Sequence, residues 1–182
     1  RTIRFDGNGG PLSGHNDYQV RAQMEQQAST TGVLIWPLTY WVSPEQLEFE
    51  RLERDAYRLE VWYANHGWFD ATVEGWSVRR VRPIRRKRVG VVDILGKIQP
   101  GPLSVVRSLT FKGLTRTQVI LGKTVARTGD LRKGDAFSLE YAYGSRDRLL
   151  ELLHDHAHAY AAVELNVEAY PAEQVVDVEY EV

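Results

Sequence analysis

The chain contains no cysteine, one methionine and no long hydrophobic run. The missing thiols exclude disulfides, thiolate catalysis and Cys-ligated zinc, and they leave the redox compartment open. No apolar stretch approaches the ~20 residues of a transmembrane helix. The most apolar segment, Val33 to Val42, is interrupted by Pro37 and Thr39. Charge of one sign is also lacking. The formal net charge is −1, so no global field draws the chain to nucleic acid or to a membrane surface. Up to Pro102 there are 14 Lys+Arg against 12 Asp+Glu, and after it 9 against 12, which is a mild asymmetry. What is present is globular: 43% hydrophobic and 26% charged residues, with five Trp and nine Tyr, in 182 residues. The chain opens in mid-pattern at Arg1-Thr2-Ile3 and is expected to be part of a longer protein.

Three landmarks occur twice in the same order. Ile3-Arg4-Phe5-Asp6-Gly7 matches Leu109-Thr110-Phe111-Lys112-Gly113, an alternating strand closed by a glycine turn. A helix follows in each copy. Ser43-Pro44-Glu45-Gln46 reads as its start, and Leu52, Ala56, Leu59 and Tyr63 form an apolar stripe that Gly67 ends. Trp68 to Val73 then enters a strand. The second copy has Leu149, Leu153 and Ala157, then His158 to Val163. Because Ala157 stands where Gly67 was, its turn is expected to be made differently. The third landmark is a strand around an Asp: Val92-Asp93-Ile94 matches Val176-Asp177-Val178. Turns at Pro83 and Pro171 separate it from the strand before. A shorter first helix is expected over Asp17–Gln27 and Gln118–Arg127. Each copy therefore reads strand, helix, helix, strand, strand. This α+β order puts two helices on one face of a three-stranded mixed sheet. Gln99-Pro100-Gly101-Pro102 marks the boundary, giving one module over 1–102 with an insert around Val33-Leu34-Ile35-Trp36-Pro37, and another over 103–182.

Other clusters have simpler readings. His154, His156 and His158 place two imidazoles four residues apart, as a metal pair would be, and motivate a rival reading as a small hydrolase or metal enzyme. They lack an intervening His-Glu-x-x-His glutamate and sit where a helix C-terminus favours His, so a structural role is preferred and no metal is assigned. In Asp6-Gly7-Asn8-Gly9-Gly10, Pro11 stands where a calcium loop needs glycine, so a turn is read there. Arg79, Arg80, Arg82, Arg85, Arg86, Lys87 and Arg88 surround Pro83 on the expected hairpin. They read as a solvated, aggregation-resistant edge, with contact to acidic partners or anionic lipid head groups as the functional alternative. Trp68 is expected to pack at the helix-to-strand turn, and Trp76 stands as a candidate anchor.

The series Gly67-Trp68-Phe69-Asp70-Ala71-Thr72-Val73, Val92-Asp93-Ile94, Pro100-Gly101-Pro102 and Leu109-Thr110-Phe111-Lys112-Gly113 resembles the POTRA domains of BamA/TamA-like outer-membrane proteins over nearly the whole chain. Ala157 and His158 depart from that pattern. The resemblance implies a location on the periplasmic face of the outer membrane of a Gram-negative bacterium. It also implies continuity with a C-terminal membrane β-barrel. The partners it implies are unfolded outer-membrane proteins or accessory periplasmic proteins, with no cofactor, catalytic residue or nucleic acid. Binding would proceed by β-augmentation, the addition of an extended peptide to an open sheet edge. The hairpin's first strand is that edge, about Ala71–Arg82 and Ala161–Ala169. The candidate residues there are Glu74, Trp76, Val78 and Arg80, and Glu164, Asn166 and Val167. Two-partner secretion or a division-site scaffold would keep the fold and change the task.

Overall fold

The computed structural model describes residues 3–7, 17–27, 46–83, 90–116 and 118–182. The Val33–Pro37 insert, Ser43-Pro44-Glu45 and the basic residues Arg85, Arg86, Lys87 and Arg88 lie outside them. The chain divides into two compact units. One comprises Arg1–Trp62 and Ala71–Pro100; the other comprises Tyr63–Asp70 and Gly101–Val182.

The elements run β1 (Ile3–Asp6), α1 (Asp17–Ala22), α2 (Phe49–Asn65), β2 (Thr72–Pro83), β3 (Gly90–Gln99), β4 (Val105–Lys112), α3 (Val119–Thr128), α4 (Leu139–Asp155), β5 (Glu164–Tyr170) and β6 (Val175–Glu181). A single 3-10 turn, Pro171–Glu173, joins β5 to β6. Two three-stranded sheets form, in the orders β1-β3-β2 and β4-β6-β5. In each, the last strand is central. It pairs in parallel with the first strand and antiparallel with its own hairpin partner. The chain is therefore two tandem βααββ modules with mixed sheets. The α1 helix is shorter than the sequence suggested, ending at Ala22 rather than Gln27.

Alternation on the central strands decides which face is covered. Ile94 and Ile98 of β3, and Val176, Val178 and Tyr180 of β6, are buried. Their neighbours Lys97 on β3, and Asp177 and Glu179 on β6, turn to the other face, where they carry ion pairs. The long helices fit these apolar faces with the same spacing. Leu52, Asp55, Leu59 and Tyr63 are buried on α2, and Ala142, Ser145, Leu149 and Leu153 on α4, each at steps of three, four and four. In both helices the second buried place is polar. Asp55 accepts the backbone N–H of Glu25 at 2.6 Å and of Gln26 at 2.9 Å, just beyond α1. Ser145 accepts the N–H of Leu131 at 3.1 Å, just beyond α3. Each short helix is thus followed by a turn whose buried donors are satisfied by the long helix.

Glycine is required where the first strands end. Gly7 and Gly113 have φ of 84° and 76°, and a Cβ would stand 2.0 Å from the Ile98 carbonyl oxygen in one case and 2.2 Å from that of Val182 in the other. At the end of α2, Gly67 takes φ 92°, and the Gly67 and Trp68 amides bond the carbonyls of Ala64 and Tyr63. The second copy corrects the sequence reading. Ala157 makes the same turn rather than a different one, with φ 67° and amide bonds from Ala157 and His158 to His154 and Leu153. Leu153 before the turn lies in the core and Ala161 after it packs against that core, which holds the non-glycine Ala157 in the left-handed conformation between them. Trp68 is buried in the turn, edge-on to Tyr63 at 5.9 Å between ring centroids.

Candidate functional site: the sheet edges

Helices cover one face of each sheet, so the unpaired backbone lies along the edges. Each hairpin's first strand, β2 or β5, is an edge strand. These two strands carry all the expected edge residues.

On β2 those residues have separate tasks. The pairing slips between Val73 and Gly75, so Glu74 sits in a β-bulge. Its carboxylate hydrogen-bonds Lys97 and Gln99, and the bond and charge of Glu74 raise the Lys97 pKa. Trp76 does not offer its ring to the edge. It pairs with Gly96 and points inward, where it meets Phe5 edge-on at 6.2 Å. The indole Nε1 donates to the Leu52 carbonyl on α2 at 3.0 Å. Val78, opposite Ile94, is half-buried on the same side. Arg79, opposite Asp93, and Arg80, opposite Val92, are exposed. Arg82 lies on β2, where the pairing slips again between Arg80 and Pro83. The Val73 N–H is taken by the Glu60 carboxylate of α2 at 3.0 Å.

On β5 the register with β6 is unbroken from Glu164–Glu181 to Tyr170–Val175. Leu165, Val167 and Ala169 lie opposite Tyr180, Val178 and Val176, on the helix-covered side. Even so, Val167 remains 37% exposed. Glu164, Asn166 and Glu168 alternate with them on the open face and are exposed. A hydrogen bond to Glu168 raises the Tyr170 pKa.

The remaining polar groups of this face cluster around Arg107, which sequence reasoning missed. The β4–β6 pairing slips between Val106 and Ser108, which leaves Arg107 as the bulged residue. It pairs with Asp177 and with Glu173 at 3.0 Å, and lies 4.5 Å over the Tyr170 ring. Hydrogen bonds from Arg107 and Ser108 hold the Asp177 carboxyl down at about 2. Asp55 and Ser145 were also missed, although each is a polar residue at an apolar-stripe position.

The three clustered His residues sit at and just beyond the C-terminal end of α4. His154 and His156 are exposed, and His158 lies beyond α4. The His156 Nδ1 is 2.8 Å from the Leu152 carbonyl, so the ring caps the helix by donating to it. Among the described residues, no group of three or more His, Asp or Glu side chains could hold a metal ion.

Strand order, the parallel first strand, two helices on one face and an edge hairpin define a POTRA-like architecture, built twice. Three solved structures can be set beside it. POTRA3-5 of BamA from Haemophilus influenzae is 15% identical with a TM-score of 0.45, over 99% of this chain and 63% of that one. POTRA1-2 of Omp85 from Anabaena is 15% identical with a TM-score of 0.43, over 99% of this chain and 92% of that one. The N-terminal domain of Omp85 from Thermosynechococcus elongatus is 16% identical with a TM-score of 0.37, over 100% of this chain and 64% of that one. The chain spans less than two thirds of the Haemophilus and Thermosynechococcus chains. No protein-family model matches the sequence, and no curated protein does.

Proposed function

We propose that the chain is a pair of periplasmic binding and scaffolding modules, not an enzyme, in an outer-membrane β-barrel assembly or translocation protein. In the full protein the modules are continuous with a membrane β-barrel. They engage extended segments of unfolded outer-membrane proteins or accessory proteins by β-augmentation. The observation that carries this reading is the strand order: the central strand is the last in each module, which leaves the hairpin's first strand as an edge. Main-chain pairing along that edge needs no reactive side chain.

The test is an NMR titration of the 182-residue chain with peptides of alternating apolar and polar residues. Amide shifts are expected along β2 or β5. Shifts confined to His154–His158, or spread over the helices with the edges silent, would exclude the mechanism. Asn166 and Val167 are neighbours on an antiparallel edge, so one N–H faces β6 and the other faces solvent. Of Asn166→Pro and Val167→Pro, the variant at the outward N–H should keep the fold and lose binding.

A further inference from the structure

The four sheet edges are not equally open. The β1 edge is only four residues long. The β2 edge is broken by two register shifts, and its Val73 amide is occupied by Glu60. The β4 edge carries the Arg107 bulge and is partly covered by backbone. Val106 N–H bonds Asp135, Gly134 N–H bonds the Val106 carbonyl, and Val105 bridges Ala136. Short strands, bulges and covering backbone are three of the devices that keep an edge from recruiting another strand, and they act whatever the partner's charge. The β5 edge shows none of them. Its seven residues keep one register, and among the described residues no backbone hydrogen bond is made from its far side.

The chemistry of β5 specifies what would add there. A strand laid beside it places alternate side chains against Leu165, Val167 and Ala169, and the others against Glu164, Asn166 and Glu168. The first row is apolar, with Val167 partly open. The second row is acidic. Behind it lie Asp177, Glu179 and Glu181 of β6. The cations of this face, Arg107 and Lys112, are engaged from the β4 side with Asp177, Glu173 and Glu179. Opposite charges directly across neighbouring strands attract, and like charges repel.

We infer that β5 is the strand-accepting edge of this protein, and that it selects an extended segment in which apolar residues alternate with lysine or arginine. This rests on the β-augmentation reading and narrows it to one of four edges and one class of partner.

The experiment uses the 182-residue chain and three labelled synthetic peptides, read by anisotropy and by amide shifts. One peptide alternates Val with Lys, one alternates Val with Glu, and one has the Val/Lys composition interrupted by Pro. The Val/Lys peptide should shift the amides of Glu164–Tyr170 and bind roughly threefold to tenfold more tightly than the Val/Glu peptide. The Pro-interrupted peptide should not bind, which separates strand pairing from simple charge attraction. Glu164→Lys with Glu168→Lys, both at exposed positions, should reverse the preference. Binding at β2, or at β5 without charge preference, would overturn this inference and leave β-augmentation standing. Silence of all edges with every peptide would overturn both. Concentration-dependent self-association that shields β5 would also overturn it, because the occupant would then be a second copy of the chain.

Discussion

The two modules solve the same packing problem with opposite choices. In the first, the central strand has Gly96 beneath the helices, and the edge strand supplies Trp76 to fill the space. In the second, the central strand supplies Tyr180, stacked on Phe111 at 5.2 Å, and the edge strand supplies the smaller Leu165. Both polar heads end at the same helical place. Trp76 Nε1 donates to the carbonyl of Leu52, and Tyr180 Oη donates to that of Ala142 at 3.1 Å. Leu52 and Ala142 are the first buried residues of the matched helical stripes. What persists between the modules is a large ring and one hydrogen bond to the helix backbone, while the strand that provides them changes. A buried aromatic with a polar handle needs a partner for that handle. The helix offers it in both cases.

Transplanting one solution into the other module is the most severe test. Gly96→Tyr alone should overpack, since a Cβ at Gly96 already stands 2.6 Å from the Trp76 ring, and the loss should be about 3 kcal/mol. Trp76→Leu alone leaves a cavity and removes the indole's bond to the Leu52 carbonyl, at about 2 kcal/mol. Together the two changes recreate the second module's pair. They should recover at least about 1 kcal/mol of the summed loss in urea unfolding. Strict additivity would show that the two arrangements are not equivalent.

The polar clasp differs in degree. Asp55→Ala leaves two backbone donors without their acceptor and should cost about 3 kcal/mol, whereas Ser145→Ala leaves one and should cost about 1 to 2 kcal/mol. Equal effects in urea unfolding would undo that ranking. The helix-ending turns differ in sign. Gly67→Ala should destabilise by at least about 1 kcal/mol, because φ is positive and a Cβ would lie 2.9 Å from the Phe137 carbonyl oxygen. Ala157→Gly should stabilise by about 0.5 to 1 kcal/mol, raising the urea midpoint.

Titration gives the mildest contrast. Burial pushes the Tyr180 hydroxyl from 10 up to about 12. Its raised value means that the neutral phenol supports the fold fully below pH 10. That support is lost as pH rises toward 12. Tyr180→Phe should remove this alkaline slope, whereas the Trp76 solution has no counterpart to it. Asp177 has the opposite sign: its support is present above about pH 4 and is lost as pH falls toward 2. Arg107→Gln should weaken that acid slope, and stability curves against pH would show both.

The repeated order of elements was legible because its signals are local. Alternation before Gly7 and Gly113, the stripe ending at Gly67 and the paired Val-Asp strands each sit within a few residues. The α3 helix was expected over Gln118–Arg127 and runs Val119–Thr128. The edge residues were harder to read. Glu74, Trp76, Val78 and Arg80 look like one face of a strand when counted in twos. The bulge at Glu74 breaks that count, so Val73 and Trp76 share the inner side. Gly75, with φ 150°, was the available signal, since glycine inside a strand often marks a bulge. Ala157 could not be read, because alanine carries no local signal for the left-handed conformation it adopts. The stripe was read through Ala56, whereas the fold buries Asp55 beside it and brings the amides of Glu25 and Gln26 to its carboxylate.

The parallel first strands have a kinetic consequence. Ile3 must find Ile94, and Leu109 must find Val178, across almost a whole module, whereas β2–β3 and β5–β6 pair strands that follow each other closely in sequence. Closing a long chain segment is entropically slower than closing a short one. Each hairpin should therefore gain hydrogen-exchange protection before its first strand does. Pulse-labelled refolding should show the amides of β5 and β6 protected while those of β4 still exchange. Each module would then begin as a hairpin with its central strand exposed along one side, and would finish by inserting its own earliest segment there.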